Sequence, residues 1–184
     1  MGLLVLGLAV FFSVHIVSSF TDARDTLIAR YGDKPYKAGY SLLSGTGFAL
    51  IVWGKTKADL LPLWEPPSWG HSLALSVMPL AFILLVGAYV PSNLKRLTAH
   101  PMLWGVTLWA VLHLLANGDM ASLLLFGAFA AYSPYAMWSQ TQRGIKVSQT
   151  VRPISRDIAV AAIGIALYVA ALYGHRWLSG IALA

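Results

Sequence analysis

The chain has 184 residues, 58% of them hydrophobic and only 11% charged, against roughly 25% charged in an average soluble domain. That composition excludes an ordinary water-soluble enzyme, and the absence of cysteine excludes disulfides, iron–sulfur clusters, a thiolate haem ligand and covalently attached c-type haem. The net charge of +6 comes from Lys and Arg between apolar runs, not along a face interleaved with aromatics, so it marks membrane topology and excludes a nucleic-acid footprint.

A chain of this length holds about six short helices, which predicts an all-α polytopic membrane bundle forming a single domain over residues 1–184. The first apolar run, Gly2 to Phe20, has no Lys or Arg ahead of it and no small-residue cleavage site behind it. A retained membrane helix is expected there and not a removed signal peptide. Its one ionisable side chain within the apolar core is His15, about five residues from the helix end.

Further apolar runs follow at about Ala38 to Gly54, Ser72 to Val90, Pro101 to Ala116, Met120 to Trp138 and Ile158 to Tyr173. The fourth run, at about 16 residues, is short for a span of roughly 20. Pro79 and Pro134 fall inside runs, where each removes a backbone hydrogen bond. The connector LPLWEPPSWG is rich in Pro and Trp and is expected to pack at the outer surface as a stiff link.

Arg24, Arg30, Lys34 and Lys37 follow the first run, Lys95 and Arg96 the third, and Arg143, Lys146, Arg152 and Arg156 the fifth. The opposite side carries only Lys55, Lys57 and Arg176. The positive-inside rule then directs the three basic loops to the cytoplasm and both termini outward. Trp53, Trp64, Trp69 and Trp177 fall toward the outer boundary and Tyr89 and Trp138 toward the inner one, as interface anchors.

The segment AHPMLWGVTLWAVLHLLANGDMASLLLFG concentrates the candidate chemistry. An ionisable group at bilayer depth is costly, so His113 marks a site before it marks a structure. Asn117-Gly118-Asp119 has turn chemistry, with Gly after one helix and Asp as N-cap of the next, and Asn117 or Asp119 can orient the His113 imidazole. His15 and His113 lie on helices expected to run antiparallel, and two inward histidines can clamp a haem from both faces. Depth opposes that pairing, because His113 stands about 18 Å from Pro101 whereas His15 stands only about 7 to 8 Å from Phe20.

His100 precedes Pro101, a favourable first helical residue. Arg24, Lys95, Arg96 and His100 can together hold an anionic group such as a haem propionate or a phosphate, although contact with lipid headgroups explains these cations equally well. No serine lies in a nucleophile-elbow context, and Glu65 is the only glutamate, which removes Ser/His/Asp catalysis and a carboxylate-bridged di-metal centre. His71 and His175 read as interfacial and solvated.

His15 with Arg24-Asp25, the segment YGDKPYKAGYSLLSGTGFALIVWG, and above all HPMLWGVTLWAVLHLLANGD resemble the NnrU family, bacterial multi-spanning proteins associated with denitrification. They resemble more distantly the plant zeta-carotene isomerases (Z-ISO). The resemblance implies a haem b protein of the bacterial inner membrane with axial ligands at His15 and His113. It would support nitrite or nitric oxide respiration through redox, sensing or cofactor handling, surrounded by membrane lipid and partnered by a respiratory nitric oxide or nitrite enzyme. His100 matches a family His-Pro, but Ala99 stands where many members have Arg. The alternatives are a non-enzymatic assembly or partner-binding factor, in which the histidines only hydrogen-bond across helices, and an isomerase acting on a polyene. A remote likeness to isoprenylcysteine-type methyltransferases stops at the His-Pro element, since their acidic and aromatic C-terminal pattern is missing.

Overall fold

The computed structural model describes residues 1–179. They form α1 (Gly2–Val17), α2 (Thr21–Tyr31), α3 (Asp33–Thr56), α4 (Gly70–Tyr89), α5 (Leu94–Leu97), α6 (Pro101–Ala116), α7 (Met120–Gln142) and α8 (Ile154–Ser179). A principal helix occupies each of the six apolar runs. α4 and α7 continue through Pro79 and Pro134.

By length and hydropathy α4, α7 and α8 can each cross a membrane, and α1 with α2 makes a fourth crossing if that bent pair is one span. The 16 residues of α6 reach only about 24 Å, short of a hydrocarbon core of about 30 Å. α3 is long enough, but it opens on the polar sequence DKPYKAGYS. The expected set of about six therefore stands as six principal helices, three to four of which are long and apolar enough to span.

Two helices occupy segments read from sequence as loops. α2 leaves α1 at a bend of 90°, and the break has a local cause. Ser18 and Ser19 both donate their hydroxyls to the His15 carbonyl at 2.9 Å, while Ser19 and Phe20 amides turn back onto Ile16 and Val17. The carbonyls that would continue α1 are thus taken by side chains and tight turns. The second addition is the single turn α5.

Backbone contacts divide the chain into two compact units, one ending at Leu61 and one starting at Pro62. In the first, α1 and α3 run antiparallel at backbone distance. A Cβ on Gly7 would stand 2.6 Å from the Ile51 nitrogen and one on Gly47 2.7 Å from the Phe11 nitrogen, and one on Gly54 would collide with the Leu4 backbone. Small residues at such a seam substitute dispersion contact for the hydrophobic drive that lipid does not supply.

The second unit is organised around α4, against which both α6 and α8 pack, with α7 on α6. Ala74, Met78, Ala81 and Leu112 form its buried core, flanked by Phe82, Trp109 and Tyr168. Tyr168 donates its hydroxyl to the Leu75 carbonyl at 2.9 Å, fixing α8 on α4. At the basic end, the Asn93 amide N–H and side-chain Nδ2 bond the two Asp157 carboxylate oxygens at 2.7 and 2.6 Å. The same side chain exchanges bonds with the Arg152 backbone at 2.8 and 2.9 Å. One asparagine thus clasps the start of α8 to the end of α4.

Candidate functional site

The Asn117-Gly118-Asp119 turn is built as its residues predict. Asp119 is the N-cap of α7 and accepts from the Ser122 amide at 3.0 Å and from the Ser122 hydroxyl. These groups are interior, since Asp119 is 8% exposed and Ser122 0%. Gly118 is required by its neighbour, because a Cβ there would fall on the Trp64 carbonyl oxygen. The Gly118 carbonyl accepts from the Leu63 and Trp64 amides at 2.7 and 3.2 Å, and Pro62 forms an antiparallel bridge with Asp119. The Pro- and Trp-rich connector is therefore seated on this turn.

His113 lies one turn before it, three residues from the end of α6, and is half-buried. Its Nδ1 donates to the Trp109 carbonyl at 2.8 Å. A carbonyl can only accept, so a proton sits on Nδ1, and in the neutral ring the lone pair is on Nε2. Phe126 stacks on the ring at 4.4 Å between centres, and Trp109 tilts against it at 5.1 Å. Phe129 meets Trp109 edge-on at 5.6 Å, extending the aromatic wall. The Asn117 Nδ2 donates to the His113 backbone carbonyl at 2.9 Å, so Asn117 secures the end of the helix that carries the imidazole.

The nearest histidine of this unit comes from α8. His175, half-buried, has its ring centre 6.4 Å from that of His113 with the planes 17° from parallel. Read from sequence as interfacial and solvated, His175 stands beside His113 through the packing of α6 and α8 on α4.

His15 belongs to the first unit, two residues from the end of α1. Its Nδ1 makes the same kind of bond, to the Phe11 carbonyl at 2.6 Å, and its ring stacks on Phe11 at 4.1 Å and tilts against Tyr40 at 5.2 Å. Arg24 also belongs to this unit, on α2, with the Asp25 carboxylate 3.9 Å away.

His100 is buried at the start of α6, 9% exposed. Its Nδ1 lies 3.1 Å from Gln140 Oε1, and its Nε2 donates at 2.9 Å to the Thr141 hydroxyl. That hydroxyl spends its own proton on the Met137 carbonyl. Both ring nitrogens are thereby engaged with the end of α7, and His100 ties two helices together.

The donor set at His113 suits a transition-metal centre bound through imidazole: a fixed tautomer, a backbone carbonyl on the far nitrogen, and an aromatic surround. Among the described residues no group of three or more His, Cys, Asp or Glu side chains converges as a metal cage. No curated protein and no solved structure matches the chain significantly. The family model described as NnrU protein matches residues 3–183, almost the whole sequence, and the chain therefore belongs to the NnrU family.

Proposed function

We propose that this protein binds haem b within the membrane and supports nitrite or nitric oxide respiration, the process with which its family is associated. The observation that carries the reading is the His113–Trp109 hydrogen bond, which directs the imidazole lone pair to Nε2. Haem fits the donors present: it needs axial ligands from the protein and brings its own four equatorial nitrogens, and the chain has no cysteine to offer thiolate. Trp109, Phe126 and Phe129 supply an apolar surface suited to a macrocycle. When bound, haem would supply one-electron redox chemistry or a site for a diatomic gas. His113 would hold the iron, Trp109 fixes the tautomer and ring orientation, and the Asn117–Asp119 turn with its Pro62–Trp64 cover holds the end of α6 in place.

The setting is a bacterial inner membrane with both termini periplasmic, lipid around the helices, and a respiratory nitric oxide or nitrite enzyme as partner. The test is the visible spectrum of detergent-purified protein produced with ample haem. A Soret band in the wild type, lost in His113→Ala, is the expected result. A colourless wild-type protein refutes haem binding and favours an assembly factor, in which His113→Gln would retain function and a respiratory enzyme would copurify.

A further inference from the structure

We propose that the groove between α4, α5 and α8 seats one anionic phospholipid, its phosphate on Arg96 and an acyl chain against Ile83; the site is independent of the haem reading. The groove has a volume of about 480 Å³ and an apolar lining of Ile83, Leu94, Leu97 and Ile154. Sites for small molecules run from roughly 300 to 1,000 Å³. Its polar lining is Arg96 with Asn93 and Asp157. The span α4 ends at Tyr89 and the span α8 begins at Ile154. Arg96 therefore falls on the headgroup side of the groove, and Ile83, six residues or about 9 Å inside α4, on the hydrocarbon side. Ile83 stands where the two spans meet at backbone distance, since a Cβ on Gly164 would lie 2.7 Å from the Ile83 Cα.

Charge decides the class of lipid. Residues 90–100 and 143–157 hold Lys95, Arg96, Arg143, Lys146, Arg152 and Arg156 against one acid, Asp157. The fold gathers the two stretches, because the Ser148 amide donates to the Lys95 carbonyl at 2.8 Å and the Asn93 side chain binds the Arg152 backbone. Both Asp157 carboxylate oxygens already accept from Asn93. Among the described residues none of Lys95, Arg96, Lys146, Arg152 and Arg156 is held in an ion pair. Cations without carboxylate partners beside an apolar groove complement a phosphodiester that carries hydrocarbon, and basic pockets between membrane helices hold anionic headgroups in this way. Free phosphate would satisfy the arginine but leave Leu97 and Ile154, 80% and 71% exposed, uncovered. A zwitterionic lipid would bring a further cation to an end that is already positive.

The full chain in detergent is titrated with phosphatidylglycerol, with phosphatidylcholine of the same acyl chains, and with inorganic phosphate, and bound lipid is counted by native mass spectrometry. One phosphatidylglycerol should be retained in preference to phosphatidylcholine, and phosphate should not displace it. Arg96→Gln should weaken retention about fivefold, the effect of one cation at an anionic headgroup, and Arg96→Lys should weaken it less. Leu97→Glu, which sets a carboxylate against the lipid, should weaken it at least as much as Arg96→Gln. Both positions are exposed, so the variants keep the packing of the spans. Lys57→Gln removes the same charge from an exposed position on the first unit and should change nothing. Equal retention of the two lipids, an unaltered Arg96→Gln protein, or equal weakening by Arg96→Gln and Lys57→Gln overturns the site. Displacement of the lipid by inorganic phosphate marks an adventitious ion only and overturns it as well.

Discussion

Asp119→Ala should be among the most damaging single substitutions in the second unit, and its cost follows from two separable losses. The carboxylate caps α7 through the Ser122 amide at 3.0 Å, and removing an N-cap costs roughly 0.5–2 kcal/mol. It also accepts from the Ser122 hydroxyl, whose residue is fully buried, and depriving a buried donor of its acceptor costs about 1–3 kcal/mol. Together these give about 1.5–5 kcal/mol. Asp119→Asn keeps a capping oxygen and should lose much less. Ser122→Ala placed on top of Asp119→Ala should cost less than it does alone, a non-additivity expected of groups in contact. Reversible unfolding in mixed micelles, followed by far-ultraviolet circular dichroism, measures the wild type, these three variants and Ser122→Ala alone. An Asp119→Ala protein within about 0.5 kcal/mol of wild type, or a double variant as unstable as the sum of the two singles, refutes the accounting.

Gly118→Val should drive a side chain into the Trp64 carbonyl and release the two amide bonds from Leu63 and Trp64, a loss of about 1–3 kcal/mol. Limited proteolysis reads it as faster cleavage between residues 57 and 69, and unchanged cleavage counts against the seated connector. Asn93→Ala removes three side-chain hydrogen bonds, two to Arg152 and one to Asp157, at about 2 kcal/mol. Hydrogen exchange should then rise in residues 145–153 and in the first turn of α8, and an unaltered pattern would show that the clasp contributes nothing.

Much of the architecture follows from the distribution of apolar residues, because a helix that must satisfy its own backbone in lipid leaves a run of matching length. The α6–turn–α7 segment was legible for a further reason: Pro101, Gly118 and Asp119 each carry a local conformational instruction. α2 was hidden because Arg24, Arg30 and two aspartates mark TDARDTLIARY as a charged loop, although nothing in it forbids a helix. Its boundary depends on Ser18 and Ser19 turning back onto His15, a choice between bonding partners that composition does not decide. The glycine seam of the first unit is likewise silent in a hydropathy profile, since Gly7, Gly47 and Gly54 matter only for what approaches them.

At the site, His113 stood out because a titratable group among leucines is expensive. Its tautomer did not, since that depends on which atom Nδ1 meets. The depth of His15 from its helix end already set it apart from His113, and that end proves nearer than expected, at Val17. The proximity of His175 to His113 is a property of two helices sharing α4 and has no local signature. His100 shows the converse, since its basic neighbours Lys95 and Arg96 point to an anion site while its ring faces Gln140 and Thr141.

The Asn93 clasp reaches Asp157 across 64 positions, and the Tyr168 bond reaches Leu75 across 93. Both join the middle of the chain to its last helix. During synthesis the flank of α4 that receives α8 must therefore go without this partner until α8 emerges. A ribosome that stops before Ile154 releases a product with its apolar runs inserted and its second unit open. Quality control that senses an unfilled helix flank would have a physical means of telling that truncated product from one that carries α8.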